Sequence, residues 1–331
     1  MSSRHVPSTA WRERVAPDEA QRFADYAERF RQIQAKRAEK WGHGRALHRK
    51  QLAAAHGSLE VLDGLPAYAK QGLFAEPGDH EVWVRLSNGG LDRQADSVPD
   101  IRGFAMRVFG VQGDSALGAG PAASQDFTLI NQEAFAFASS AEFVDFVGAA
   151  SRGNAELFRY LFRRYGVLGA PRQVARMMRV AGRPFSGFAT ETLYSTLPMA
   201  NGPYAVRVRL VPAPANGKPQ AGARRDWAAD FAQRLRDRPL HWDLQLQYFA
   251  SEEATPIEDP TVDWPTPYTT VARLMLPQQD LASAEALALA ERVEKTVIDP
   301  WQALADHRPL GEIQRARKVI YLASQQGRGA A

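Results

Sequence analysis

The chain has 331 residues, enough for a large buried core, and 45% of them are hydrophobic and 24% charged, an ordinary globular balance. Its formal charge is only +4 and no Lys/Arg run is interleaved with aromatics, which argues against nucleic-acid binding. It has no cysteine, which excludes disulfides, zinc–thiolate sites, iron–sulfur clusters and thiolate-ligated haem.

Met1 to Glu19 is polar and has no apolar signal-peptide core, and no run of about 18 apolar residues exists to span a membrane, so a cytoplasmic chain is expected. Pro17 to Trp41 reads as an amphipathic helix within an N-terminal arm of about 17–44, ended by Gly42 and Gly44. Strands are expected over Ser58–Leu62, Glu81–Ser87, Gly103–Phe109 and Gln125–Ile130, with Asn88-Gly89-Gly90 as a turn and Gly110–Ala123 as a loop. Ala141–Ala150, Ala155–Tyr165 and Pro171–Val180 read as short helices punctuated by Gly153, Gly166 and Gly169. Strand character returns over Tyr204–Val211, Asp243–Phe249 and Thr269–Leu276. Helices follow at Trp227–Arg236, Ser283–Lys295 and Glu312–Gln325. Thr255–Pro267 is proline-rich but carries Ile257, Val262 and Trp264, which marks an ordered connector. Strands come in two groups with helices between and after, which argues for an α+β fold with a mostly antiparallel sheet or barrel. About eight strands suffice to close a small barrel.

The last helix, about 312–326, carries the spacing with the most chemical content. Arg317 precedes Tyr321 by four residues, so the two side chains leave one helix face about 40° apart. A guanidinium beside a phenol favours the phenolate, a hard electron-donating ligand. The same spacing recurs at Arg22 and Tyr26, where the stripe Phe23, Tyr26, Phe30 and Ile33 points to a core tyrosine. Glu252-Glu253 and Glu258-Asp259 show no spacing that sets two carboxylates across a substrate. No P-loop, G-x-G-x-x-G or G-x-S-x-G is present.

Further motifs stand in a telling order: Arg45-Ala46-Leu47-His48, then Gly57-Ser58-Leu59-Glu60-Val61, then Val84-Arg85-Leu86-Ser87, then Asp100-Ile101-Arg102-Gly103-Phe104-Ala105, and the terminal Arg317-x-x-x-Tyr321. Together they resemble the haem catalase superfamily. Gly72–Gly78 and Ser124–Phe127 look more like its small, catalase-related peroxidase branch. The resemblance runs over about 45–151 and again over 301–328, while the middle matches only in layout.

The resemblance implies one catalase-like domain over 1–331: an antiparallel eight-stranded β-barrel with packed helices, holding haem b. It implies Tyr321 as the iron ligand, with Arg317 keeping it ionised. His48 matches the distal histidine that moves a peroxide proton, and Ser87 the serine that orients it. Arg45 and Arg85 match arginines that hold haem propionates, a task suited to a bidentate fork, and Arg328 matches another propionate or ligand arginine. Gly327 is placed to end the helix before Arg328. The implied activity is reduction of hydrogen peroxide or organic hydroperoxides through a ferryl intermediate, with a small-molecule or lipid-like co-substrate. A fatty-acid hydroperoxide lyase or isomerase and a non-enzymatic haem-binding protein are the alternatives. A homodimer is the commonest assembly in general.

One departure bears on the activity. Larger catalases set an asparagine just before the strand matching Gln125–Ile130, and none occurs from Val111 to Asp126. Ala123, Ser124 or Gln125 occupies that neighbourhood, so weak catalase activity is expected. Among the remaining histidines, His56 is the rival to His48, and His5, His43, His80, His241 and His307 are expected at the surface or in structural roles. Arg102 either pairs with Asp96 or Asp100 or turns to the haem side. Phe104, Phe127, Phe135 and Phe137 are expected in the barrel core, with one or two of them also stacking on the haem.

Overall fold

Four strands, β1 (Gln51–Val61), β2 (Gly78–Asn88), β3 (Arg102–Val108) and β4 (Gln125–Ile130), form an antiparallel meander in the computed structural model, which describes residues 7–118 and 120–330. His5 lies outside the described residues. The second group comprises β5 (Leu193–Tyr194), β6 (Met199–Asn201), β7 (Tyr204–Pro212), β8 (Leu240–Tyr248) and β9 (Tyr268–Leu276). Strand order is β5-β4-β3-β2-β1-β9-β8-β7-β6, and a further β5–β7 pairing closes the ring. Eight strands make the closed antiparallel barrel expected from the sequence, and β6 lies beside it, paired with β7.

Alternation decides which face each side chain takes. Val82, Val84 and Leu86 of β2 are fully buried inside with Phe104, Met106 and Val108 of β3. Phe127, Leu129, Val206, Val208, Leu210, Leu244 and Leu274 complete that interior. Phe104 meets Trp242 edge to face at 5.7 Å. The intervening residues point outward, and register aligns Arg85 with Ala105 and Ala105 with Thr128 in one row. Ser87 stands opposite Gly103 in the next row.

That outer face is covered by helices. α1 (Glu19–Trp41), α2 (Ser140–Ser151) and α6 (Glu312–Gln326) share a second core of Phe23, Tyr26, Phe30, Ile33, Val144, Val147, Ala316 and Ile320. Arg315 of α6 staples the N-terminal segment by donating to Glu13 at 2.8 Å and Glu19 at 2.7 Å. It also reaches Glu258 at 3.2 Å, which makes that carboxylate structural. α3 (Asn154–Ala181) is two arms joined at Gly166, whose φ of 69° needs a residue without a side chain. α4 (Trp227–Asp237) and α5 (Ala284–Lys295) complete the helices. No helix among the described residues is long and apolar enough to cross a membrane.

His307, expected in a surface or structural role, is fully inside. Its Nε2 accepts from the Leu73 amide at 2.9 Å, and Nδ1 faces the Ala200 carbonyl at 3.3 Å. Burial pushes it down to about 4. The unfolded chain, with histidine near 6.5, therefore binds the extra proton between those values. Its contribution is complete above about pH 6.5 and is lost as pH falls towards 4, by up to about 3 kcal/mol. Urea midpoints for the wild type and His307→Gln should diverge at pH 7 and converge near pH 4.5. Parallel pH slopes in the two proteins would remove His307 as the cause.

Candidate functional site

A cavity of about 520 Å³ lies between the outer face of β2–β4 and helices α1, α2 and α6. Its walls are largely apolar: Phe30, Leu47, Val144, Val147, Ile313 and Ile320 all face it. Phe135 and Phe137, expected in the barrel core, instead line this cavity with Phe143 and Phe146. Their ring centroids lie 5.7 Å (Phe135–Phe137), 5.4 Å (Phe137–Phe143) and 5.1 Å (Phe137–Phe146) apart. They follow β4, beyond the alternation that would aim them inward, so α2 sets their position. Phe104 and Phe127 do belong to the barrel interior, and Phe104 also borders the cavity.

His48 enters from the loop before β1 with a positive φ of 50°. Its amide donates to the Gly89 carbonyl at 3.0 Å. The loop is clasped by Arg49, which is 1% exposed and donates to the carbonyls of Arg45 and Gly42. Arg49 carries no motif signal; its role comes entirely from burial. His48 Nδ1 lies 3.0 Å from Ser87 Oγ. Gly103 makes room for that pair, since a Cβ there would stand 2.5 Å from His48 Nδ1 and 2.8 Å from Ser87 Oγ. Burial, then the charges of Arg85, Arg317 and Arg45, push His48 down to about 3. It is therefore a neutral imidazole at physiological pH. The rival His56 is exposed on β1.

Tyr321 faces the same cavity from α6. Arg317 Nη2 donates to its phenol oxygen at 2.8 Å and to Thr128 Oγ1 at 3.1 Å, and Nη1 donates to Gln314 Oε1 at 3.0 Å. A guanidinium can only donate, so the phenol oxygen accepts here, a contact that strengthens when that oxygen is anionic. Tyr26 differs despite the shared spacing. It is 7% exposed in the helical core and does not line the cavity, and Arg22, which also contacts Tyr26, is shared with Asp18 at 2.9 Å and Glu312 at 3.1 Å.

Two further arginines meet at one carboxylate, and a third joins them at the carbonyl end of α5. Arg85 donates to Glu294 Oε2 from Nη2 at 2.8 Å and from Nε at 3.0 Å, and to the His48 carbonyl at 2.9 Å. Arg45 reaches the same oxygen at 3.0 Å and the Thr296 carbonyl at 2.8 Å. Arg328 donates to the carbonyls of Glu294 at 3.2 Å and Thr296 at 3.0 Å. α6 does end before Arg328, at Gln326, yet the side chain still reaches the cavity. Three guanidinium groups thus share one acidic side chain and the carbonyl end of α5. Burial and the charge of Arg85 push Arg45 down to about 8, the mark of a cluster short of negative charge.

Arg102 takes neither expected partner's carboxylate. It donates to Asn88 Oδ1 and to the carbonyls of Asp96 and Val98 at 2.8 and 2.9 Å, bracing the turn beneath Gly89. Asp100 instead accepts from the Gly90 amide at 2.9 Å. Ser124 and Gln125 do not line the cavity. Ser124 bonds Asp126 at 3.0 Å, and Gln125 accepts from the Leu304 amide at 3.0 Å. Thr128 is the β4 polar side chain that does face it, and no asparagine is among the lining residues.

No family model matches the chain, and no curated protein matches it. Solved structures do. A fungal catalase is 19% identical, with 86% of this chain and 59% of that one covered at a TM-score of 0.65. Catalase A from Saccharomyces cerevisiae is 18% identical, with 99% and 68% covered at 0.67. A bacterial catalase is 17% identical, with 99% and 64% covered at 0.65. The chain thus spans between 59% and 68% of the length of these neighbours. At such identity the likeness is one of fold, and the fold that the motif order implies is the one the chain adopts.

Proposed function

We propose that the chain is one catalase-like haem domain of the small catalase-related kind. It acts as a peroxidase on hydrogen peroxide or organic hydroperoxides, with weak catalase turnover. The observation that carries this reading is convergence on a single cavity. His48 with Ser87, Tyr321 with Arg317, and the anion-poor trio of Arg45, Arg85 and Arg328 all line it.

The residues fit haem b. A flat, largely apolar macrocycle with two carboxylates would need apolar walls, cationic forks and a donor for its iron. Phenylalanines and aliphatics supply the walls, and 520 Å³ suits a cofactor site. Arg45, Arg85 and Arg328 would take the carboxylates, and Tyr321 would be the donor, the metal ligand that catalases use. Bound haem would supply redox chemistry at iron that no side chain here can perform.

The chain's own part is proton handling and exclusion of water. With Nδ1–H donating to Ser87 Oγ, His48 presents a free lone pair at Nε2. That nitrogen takes the proton of an incoming peroxide, holds it, and returns it to the departing oxygen. Arg317 holds the Tyr321 oxygen in place by donating to it at 2.8 Å. The apolar walls keep bulk water from competing. Without a lining asparagine to orient a second peroxide, one-electron or organic reductants are favoured over disproportionation. The phenylalanine wall also favours organic hydroperoxides, which keeps the lyase or isomerase reading as the second.

Titration with haemin tests the proposal. Uptake of about one haem per chain with a high-spin ferric tyrosinate spectrum is expected, followed by a rapid spectral change on stopped-flow mixing with peroxide. No uptake would sink the proposal; uptake without any reaction would leave a haem-binding protein.

A further inference from the structure

Among the described residues, four of the nine exposed large hydrophobic side chains fall within one short stretch of α3: Phe158 (50% exposed), Phe162 (47%), Val167 (76%) and Leu168 (82%). Phe158 and Phe162 stand about one turn apart on one helix face, with Arg159 and Arg163 about 100° round from them. Gly166 breaks the helix and sets Val167 and Leu168 at the bend. Pro171, Val174 and Ala175 of the second arm border the same apolar groove as Phe158 and Phe162.

Charge is concentrated on the same element. Residues 154–181 hold six arginines and one glutamate, a net +5 against +4 for the whole chain. Arg159, Arg163, Arg164, Arg172 and Arg179 are exposed. Apolar side chains beside arginines, on an element too polar to span, are the composition of a helix that lies in a bilayer interface.

We propose that this face of α3 docks on an anionic lipid surface. The apolar side chains enter the headgroup boundary and the arginines meet lipid phosphates. A second copy of the chain is a poorer occupant, because a two-fold contact would bring together two elements that each carry a net +5. Nucleic acid would satisfy the arginines but leave the aliphatic Val167 and Leu168 in water. The surface is also coupled to the cavity. Tyr165 donates to the Glu142 carboxylate and Tyr160 to the Glu142 carbonyl at 3.5 Å, tying α3 to α2, whose Phe143 and Phe146 line the cavity wall. The proposal stands independently of haem binding.

Co-sedimentation with vesicles tests it, using phosphatidylcholine alone and phosphatidylcholine mixed with phosphatidylglycerol. Binding to the mixed vesicles that weakens at about 0.5 M salt is expected. The double variant V167S/L168S should bind about tenfold or more weakly. Arg163→Glu with Arg164→Glu should lose a comparable factor. Both pairs are exposed, and unchanged circular dichroism would show that the fold is kept. Failure to sediment with mixed vesicles, or equal binding by V167S/L168S, overturns the proposal. A concentration-dependent dimer that V167S/L168S dissolves would also overturn it, by assigning the face to a second copy.

Discussion

Tyr321→Phe is expected to remove tight haem uptake while leaving the fold intact. The substitution deletes one oxygen, and that oxygen is the proposed axial donor. Losing even an outer partner of a metal ligand costs 10–100-fold in affinity, so loss of the ligand itself should cost about 100-fold or more. Stability should change by no more than about 1 kcal/mol, since Arg317 keeps Gln314 at 3.0 Å and Thr128 at 3.1 Å. Tyr26→Phe is the matched control, with the same Arg-to-Tyr spacing in a core without a site. It should bind haem like the wild type. A Soret titration with thermal unfolding of each apoprotein separates the cases. Equal affinity and an unchanged spectrum in Tyr321→Phe would end the ligand assignment.

Much of this architecture is written locally. Seven strands and the helices carry their own periodicity, and β4 falls on the expected Gln125–Ile130. The barrel's closing strand does not. β5 is Leu193–Tyr194, and two residues give no alternation to read; its pairing with Ile130 on one side and with Leu210 and Arg209 on the other makes it a strand. β6, three residues long, is silent for the same reason. Within the site, Tyr321, His48 and Ser87 are legible because short motifs place them. Glu294 is not, since nothing near it on α5 signals that Arg45 and Arg85 will arrive from over two hundred residues away. Gly103 is visible as a motif letter, but its reason is a contact with His48 that exists only after β3 pairs with β2. Placing Ser124 or Gln125 at the cavity fails because sequence position cannot say which β4 residues face outward. The register gives that place to Thr128.

His48→Ala should bind haem normally and react with peroxide about 10²–10⁴-fold more slowly, the usual worth of a positioned acid–base group. Its pH profile distinguishes this histidine from an ordinary one. A base at its usual 6.5 would lose about tenfold in rate between pH 7.5 and 5.5. His48 is held near 3, and the largest cause is burial, which persists when the arginines are paired with anions. Its proton-accepting form therefore stays complete as pH falls to about 5, and is lost only as pH falls through the depressed value. A level rate from pH 8 to 5 in the wild type is the expected result, with the apoprotein's fold checked at each pH. Gly103→Ala isolates geometry from chemistry. Every polar group is retained, yet the new methyl would stand 2.5 Å from His48 Nδ1, so the ring must leave Ser87. Most of the rate loss of His48→Ala should follow, with haem uptake preserved. If His48→Ala reacted at the wild-type rate, the proton would have to travel by another route, and the exposure of His56 on β1 argues that it would not be the substitute.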